Sequence, residues 1–161
     1  MEINTIYTDG SSRGNPGPGG WGAIIIGDHK VREIGGRVEK TTNNRMEMTA
    51  VIEALKTLRE DASAEVHTDS EYLLKGITEW VYKWQANGWK TKDKKEVLNQ
   101  DLWEHLIKEV EKRNTNGYIS WEKVQGHSGH KFNDRCDEIA TGFADGKRVG
   151  LFNGLKKEYK V

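Results

Sequence analysis

The fold is decided by residues 45–70, whose sequence is RMEMTAVIEALKTLREDASAEVHTDS. Between Arg45 and Arg59 the apolar residues recur every three or four positions, as they do on one face of an α-helix. The short segment from Ala64 to Thr68 follows as a predicted strand. Upstream, Ile3 to Thr8 is rich in β-forming residues and is also a predicted strand. A strand, a helix and a second strand in this order predict a parallel crossover unit, and therefore an α/β protein.

Further elements surround this unit. Trp21 to Gly27 and Val31 to Val38, the second interrupted by two glycines, are predicted strands, and their short links favour an antiparallel meander with the first strand. The remaining predicted elements are helices over Ser70 to Trp84, Leu102 to Val110 and Asn133 to Ala144, and a strand over Tyr118 to Val124. The C-terminal tail, residues 146–161, shows no clear periodicity. The chain contains no internal repeat of solenoid length.

Length and composition limit the class of protein. With 161 residues, 35% hydrophobic residues, six Trp and no formal net charge, the chain has the size and composition of one folded domain. Its longest aliphatic run, Ala23 to Ile26, is far shorter than the roughly 18 apolar residues of a membrane span. Met1 to Asn4 lacks the basic start of a signal peptide. We therefore expect a soluble, cytoplasmic protein without membrane contact, and the single Cys136 excludes an internal disulfide.

The charges are unevenly distributed along the chain. Residues 75–95 and residues 146–161 each carry a net charge of +4, and the remainder carries −8. Two basic segments in a neutral chain are compatible with binding to nucleic acid or another polyanion.

Four carboxylates are the candidate catalytic residues. Asp9 and Asp69 each follow a predicted strand, so they meet at the carboxyl edge of the sheet if the two strands are neighbours. Glu47 shares the apolar stripe of its predicted helix, where a lone carboxylate is costly unless a cation or a partner compensates its charge. Asp137 lies on the last predicted helix.

Each of these acids has a structural explanation when it is taken alone, as a turn former, a helix cap or an ion-pair partner. Several acids packed together repel one another unless divalent cations hold them. Oxygen ligands favour Mg²⁺ or Mn²⁺, and two such ions about 3.5–4 Å apart can activate water and stabilise the leaving oxygen of a phosphodiester. Zinc at His127, His130 and Cys136 is a weaker alternative, because it has three ligands with poor spacing.

The motifs resemble type 1 ribonuclease H, the bacterial ribonuclease HI. They are Tyr7-Thr8-Asp9-Gly10 with Gly14-Asn15-Pro16-Gly17, Thr41-Thr42-Asn43-Asn44-Arg45-Met46-Glu47, Thr68-Asp69-Ser70, and Gly126-His127-Ser128-Gly129-His130 followed by Asp137. The match runs in order from about Ile3 to Ala144. The resemblance implies a ribonuclease H-like fold, with a five-stranded mixed sheet flanked by helices. It also implies a catalytic domain over residues 1–145, with a basic protrusion at about 75–95, followed by the basic tail.

The implied activity is endonucleolytic cleavage of the RNA strand of an RNA/DNA hybrid by a monomer, leaving 3′-hydroxyl and 5′-phosphate ends. By resemblance, Asp9 would bridge two Mg²⁺ ions, for which Mn²⁺ would substitute. Asp137 would ligate the ion that activates water, and Glu47 and Asp69 the ion beside the leaving group. His127 would assist proton transfer or product release.

The expected nucleic-acid contacts fall into two groups. Loop residues beside the acids are suited to 2′-hydroxyls and phosphates, and protrusion residues to the DNA strand. The loop residues could instead form turns, and the two Trp side chains, four apart, could simply pack one helix on another. The expected contacts are Gly10, Asn15, Thr42, Asn44, Glu71, Trp80, Lys83 and Trp84.

Two departures from the family pattern affect substrate binding. Glu71 stands where many members carry Gln, and it adds negative charge beside phosphates. Gln85-Ala86-Asn87 is neutral where bacterial relatives are often strongly basic. We expect Glu71 to change substrate affinity or metal dependence. The neutral stretch has fewer positive charges to neutralise phosphates, so it predicts weaker and less salt-sensitive hybrid binding than in a basic relative.

Two other classes of protein are alternatives. A non-catalytic nucleic-acid-binding module would be expected to lose one or more of the four acids, and all four are present. An integrase, transposase or resolvase would not be expected to retain the run from Thr42 to Glu47, and would cleave supercoiled or branched DNA instead.

Overall fold

The computed structural model describes residues 3–113, 117–124 and 130–161. Within these ranges six strands form one sheet in the order β5-β4-β1-β2-β3-β6. The strands are β1 (Ile3–Ser12), β2 (Gly17–Ile26), β3 (Lys30–Thr41), β4 (Ser63–Thr68), β5 (Ile119–Lys123) and β6 (Asn153–Leu155). The helices are α1 (Asn43–Lys56), α2 (Glu71–Lys75), α3 (Val81–Ala86), α4 (Gln100–Arg113) and α5 (Lys131–Ala144), with a π-helical turn over Gly76–Trp80 and a 3₁₀ turn over Lys156–Glu158.

The pairing of the strands confirms the predicted α/β architecture. β1, β2 and β3 form an antiparallel meander, and β4 pairs in parallel with both β1 and β5. Helix α1 makes the crossover from the meander to β4. The carboxyl ends of β1 and β4 therefore lie side by side, with Tyr7 opposite His67.

The sheet has six strands where five were expected. The additional strand, β6, comes from the C-terminal tail and pairs with Lys30 to Arg32 at the amino-terminal end of β3. A three-residue strand is too short to show a periodic pattern, and it forms because the edge of β3 offers free backbone hydrogen-bonding groups.

Glycines allow helix α5 to lie directly on the sheet. A Cβ atom on Gly20 would lie 2.2 Å from the Ala140 carbonyl oxygen, and one on Gly35 would lie 2.6 Å from the Ile139 side chain. The glycine pair in β3 was expected to interrupt the strand, but β3 is continuous from Lys30 to Thr41. These glycines permit close approach of a helix and do not break the strand.

On the opposite face, α1, α2 and α4 enclose the main core, in which Trp103 and Leu55 are fully buried. The helix predicted over Ser70 to Trp84 is divided by the π-helical turn, where a Cβ on Gly76 would lie 2.0 Å from the Trp103 ring. A π-helical turn contains more residues than an α-helical turn, and this difference shifts the register of the helix against its neighbours. In the described part of the chain, no helix has the length and hydrophobicity needed to span a membrane.

Candidate active site

Three of the four predicted carboxylates form one cluster. Asp9 lies on β1, Asp69 follows β4, and Glu47 projects from α1, and their ligand oxygens all lie within 4.8 Å of one another. The parallel pairing of β1 with β4 brings the two aspartates together at one sheet edge, as the sequence predicts. Strand β1 continues to Ser12, so Asp9 lies within it and not at its end.

Gly10 determines how closely α1 approaches the strand. A Cβ atom at this position would lie 2.4 Å from the backbone nitrogen of Glu47 and 2.5 Å from the carbonyl carbon of Met46. Glycine therefore lets the start of α1 rest on β1, which places Glu47 beside Asp9. Thr42 caps the helix, because its hydroxyl oxygen accepts a hydrogen bond from the Arg45 N–H.

Two members of the cluster, Asp9 and Glu47, are buried, and Asp69 is half-buried. Burial raises the pKa of Asp9 to about 7, the nearby charge of Asp69 adds to the rise, and hydrogen bonds involving Glu47 and the Gly10 N–H oppose it. Burial and the charge of Asp9 also raise the pKa of Glu47 well above its ordinary value. Among the described residues, Glu47 Oε2 is buried without a hydrogen-bond partner.

These properties fit a divalent cation. The donors are all carboxylate oxygens, which hard ions such as Mg²⁺ and Mn²⁺ prefer, and the buried Oε2 of Glu47 is free to bind one. A bound cation would compensate the charges that burial now disfavours, so it would lower both raised pKa values.

The cluster opens into a cleft of about 510 Å³, and Asp137 on α5 lines the same cleft as an exposed side chain. The structure thus brings all four predicted acids to one cleft, with three of them in tight contact. Further lining residues were not predicted from the sequence. They are Ser11, Asn43, Ser70, Tyr72, Asn133 and Asp134. Asn133 precedes Asp137 by four residues on α5, so helical spacing could have indicated it.

Only some of the predicted loop contacts line the cleft. Asn44 and Glu71 line the cleft, and Glu71 forms an ion pair of 2.5 Å with Lys123, which lowers the pKa of Glu71. Asn15 is exposed and is not part of the cleft lining, and Thr42 serves as the cap of α1. His127 lies outside the described residues.

A second cleft of about 620 Å³ adjoins the first, and Tyr72 lines both. Trp80, Lys83 and Trp84 line it together with further lysines of the protrusion. The rings of Trp80 and Trp84 lie 5.8 Å apart, and Trp84 lies 5.9 Å from the core residue Trp103. The two tryptophans therefore pack between helices and also form the wall of a cleft.

The mixed sheet flanked by helices, with three carboxylates clustered on β1, α1 and the segment after β4, defines an α/β protein with a site that could hold a metal ion. The sequence model of the RNase H family matches residues 1–144. A ribonuclease H of Caulobacter sp. (strain K31) is 50% identical over 150 residues, which are 93% of this chain and 90% of that protein. One from Cyanothece sp. is 51% identical over 153 residues, covering 93% and 94% of the two chains. The chain therefore belongs to the ribonuclease H family, and it is a ribonuclease H enzyme.

Solved structures agree with this assignment. LC9-RNase H1, a type 1 RNase H with the type 2 active-site motif, is 31% identical with a TM-score of 0.78, covering 96% of this chain and 78% of that one. LC11-RNase H1, solved in complex with an RNA/DNA hybrid, is 26% identical with a TM-score of 0.64, covering 89% and 97% of the two chains.

Proposed function

We propose that this enzyme hydrolyses the RNA strand of RNA/DNA hybrids with two Mg²⁺ ions, leaving 3′-hydroxyl and 5′-phosphate ends. The observation that carries the proposal is the cluster of the buried Asp9 and Glu47 with the half-buried Asp69, with Asp137 on the wall of the same cleft. Asp9 would bridge both ions, Glu47 and Asp69 would hold the ion beside the leaving group, and Asp137 would hold the other. When bound, the ions supply an activated water and stabilise the charge on the leaving oxygen.

The protein residues prepare this site. Packing of α1 on Gly10 excludes water from Glu47 and fixes it beside Asp9. Because Asp9 and Glu47 have raised pKa values, the cluster carries protons that leave when cations bind, which makes cation binding stronger at higher pH. His127 would assist proton transfer or release of the product, with Mn²⁺ able to replace Mg²⁺.

The two adjoining clefts suit the two strands of a hybrid. Asn44 and Ser70 present short polar side chains beside the acids, where the 2′-hydroxyls of RNA would lie. The second cleft combines Trp80 and Trp84 with Lys83, a pairing of aromatic and basic side chains suited to the DNA strand. The hybrid complex of LC11-RNase H1 supports this substrate. The proposal also includes Asn15 and Thr42 as substrate contacts and a monomeric, cytoplasmic enzyme with its catalytic domain over residues 1–145.

The experiment is cleavage of end-labelled RNA paired with DNA, compared with single-stranded RNA, duplex RNA and duplex DNA. We expect cutting of the hybrid alone in Mg²⁺ and none after chelation, with the mapped ends distinguishing the products. Asp69→Asn should abolish turnover without unfolding the protein, whereas Glu60→Gln, a change at an exposed acid on the surface, should not. A hybrid that is bound but left intact in Mg²⁺ would show a recognition module, and an active Asp69→Asn variant would contradict the metal role.

A further inference from the structure

Glu33 on β3 is a buried carboxylate that the proposed reaction does not use. It is 4% exposed and accepts hydrogen bonds from Arg135 Nε at 2.9 Å, Arg135 Nη2 at 3.0 Å, the Phe152 N–H at 2.9 Å and the Tyr159 hydroxyl at 2.6 Å. Burial alone would raise the pKa of Glu33, but these donors lower it overall. Its carboxylate therefore joins β3, helix α5 and the segment of residues 150–159, here named the C-terminal strap.

The strap is hydrogen-bonded to both helix α5 and strand β3. Arg135 Nη2 also donates to the Gly150 carbonyl oxygen at 2.8 Å, and the Glu33 N–H donates to the Phe152 carbonyl oxygen at 2.7 Å. Strand β6, within the strap, continues the sheet beside β3. Arg135 is thus held from two sides, and it joins the strap to α5 by hydrogen bonds.

Aromatic side chains continue this connection to the first turn of α5. The ring of Tyr159 stacks on Phe132, with centroids 6.5 Å apart and planes within 10°. Phe132 in turn lies 5.0 Å from Tyr7, as does the ring of His130. Tyr7 is on β1, two residues before Asp9. The first turn of α5 is therefore packed between the strap and the strand that carries Asp9.

The position of α5 matters because it carries Asp137. Asp9, Glu47 and Asp69 are set by β1, α1 and β4, but Asp137 can meet them only if α5 is correctly placed. Three glycines of the sheet, Gly20, Gly22 and Gly35, lie directly below α5, and these positions offer no side-chain ridge to oppose sliding of the helix. The bidentate ion pair between Arg135 and Glu33 supplies such a stop, because its planar geometry is strongly directional.

We propose that the C-terminal strap is a positioning element of the active site, which through Arg135 holds α5 where Asp137 can share cations with the cluster of Asp9, Glu47 and Asp69. This inference rests on the proposed metal-dependent function. Tyr159 and Arg135 are positioning residues, since neither lines the acidic cleft. Loosening the strap leaves this three-residue cluster intact and weakens the contribution of Asp137 to cation binding.

The test uses Tyr159→Phe in the full chain, which removes the hydrogen bond to Glu33 and keeps the ring. Tyr118→Phe, at a tyrosine that is 44% exposed beside β5, is the matched control. Mn²⁺ binding is measured without nucleic acid, from the electron paramagnetic resonance signal of the free ion. We expect Tyr159→Phe to weaken Mn²⁺ binding about threefold to tenfold. This loss does not exceed the roughly 10–100-fold loss of metal affinity that follows mutation of a residue hydrogen-bonded directly to a metal ligand. Tyr118→Phe should change nothing.

The same pair of variants is compared in an Asp137→Asn background. If the strap acts through Asp137, Tyr159→Phe has no further effect on Mn²⁺ affinity there, because the positioned group is already gone. An equal loss in both backgrounds overturns the proposal. So does a lowered melting temperature with unchanged Mn²⁺ affinity, which would show that the strap only stabilises the fold.

Two further comparisons keep the test decisive. Arg135→Lys, which keeps the charge but loses the bidentate geometry, should reproduce the effect of Tyr159→Phe, and it replaces that variant if the latter does not fold. Hybrid cleavage at increasing Mg²⁺ should show a matching rise in the Mg²⁺ needed for half-maximal rate, with the rate at saturating Mg²⁺ nearly unchanged. Absence of cleavage by the unmodified enzyme would refute the proposed function, and the Mn²⁺ titrations would still decide the role of the strap.

Discussion

Replacing Asp9 by Asn should stabilise the metal-free protein at alkaline pH while abolishing its activity. The pKa of Asp9 is raised from the ordinary 3.8 to about 7, so the folded state binds a proton that the unfolded state releases between these two values. Stability is therefore lost as the pH rises through this window. One pKa unit corresponds to about 1.4 kcal/mol, so ionised Asp9 costs about 4 kcal/mol of folding free energy above pH 7.

Asn is the same size as Asp and carries no charge. Its amide oxygen can still accept the hydrogen bond that the Gly10 N–H donates to Asp9 at 2.9 Å. The variant should consequently be more stable than the unmodified enzyme by about 2–4 kcal/mol at pH 8 and by less than about 1 kcal/mol at pH 4. The lower end of the pH 8 range allows for Glu47, whose ionisation is coupled to that of Asp9.

The assay is urea unfolding at pH 4 and at pH 8 in the presence of a chelator, followed by circular dichroism. Asp93→Asn, a change at an exposed aspartate of the protrusion, is the control and should have little effect at either pH. Added Mg²⁺ should stabilise the unmodified enzyme at pH 8 and have much less effect on Asp9→Asn. A stability difference that is the same at both pH values would refute the reasoning, because it would mean that the charge of Asp9 is not the cause.

Three more outcomes are expected. Gly10→Ala should lower hybrid cleavage at least about tenfold and destabilise the fold by about 1–3 kcal/mol, because its Cβ would displace the start of α1. Glu60→Ala, a change at an exposed side chain away from the cleft, is the control, and equal activity of the two variants would be inconsistent with this packing. Glu71→Gln should strengthen hybrid binding a few fold in a direct titration, because it removes a negative charge and breaks the ion pair with Lys123, which can then contact phosphate. Unchanged affinity would show that this ion pair does not affect hybrid binding. The slope of log affinity against log salt should be shallow, and a steep slope would show that the neutral stretch of the protrusion does not limit phosphate contacts.

The sequence was sufficient for much of the site. The spacing of apolar residues put Glu47 on the inward face of α1, and the strand preceding Asp69 indicated the sheet edge, since both depend on local periodicity. The predicted strand that precedes Asp9 was too short, because Gly10 to Ser12 lack β-forming residues. Those residues are extended since they pair with Gly19 to Trp21 of β2, which is a contact between separate segments.

Other features depend on contacts that no local pattern records. The sixth strand exists because residues 153–155 meet the free edge of β3, and the strap is held by a carboxylate more than a hundred residues away. Within the π-helical turn, Gly76 lies against the ring of Trp103, a residue far away in the sequence.

By itself, then, the sequence determined the fold class, the family pattern and the identity of the four acids, because these follow from residue type and short-range spacing. Only the tertiary structure decided how the acids differ. It buries Asp9 and Glu47 so that their pKa values rise, and it leaves Asp137 exposed on a separate helix. Burial and the distances between charges are properties of the packed chain, and they set the electrostatics of the site.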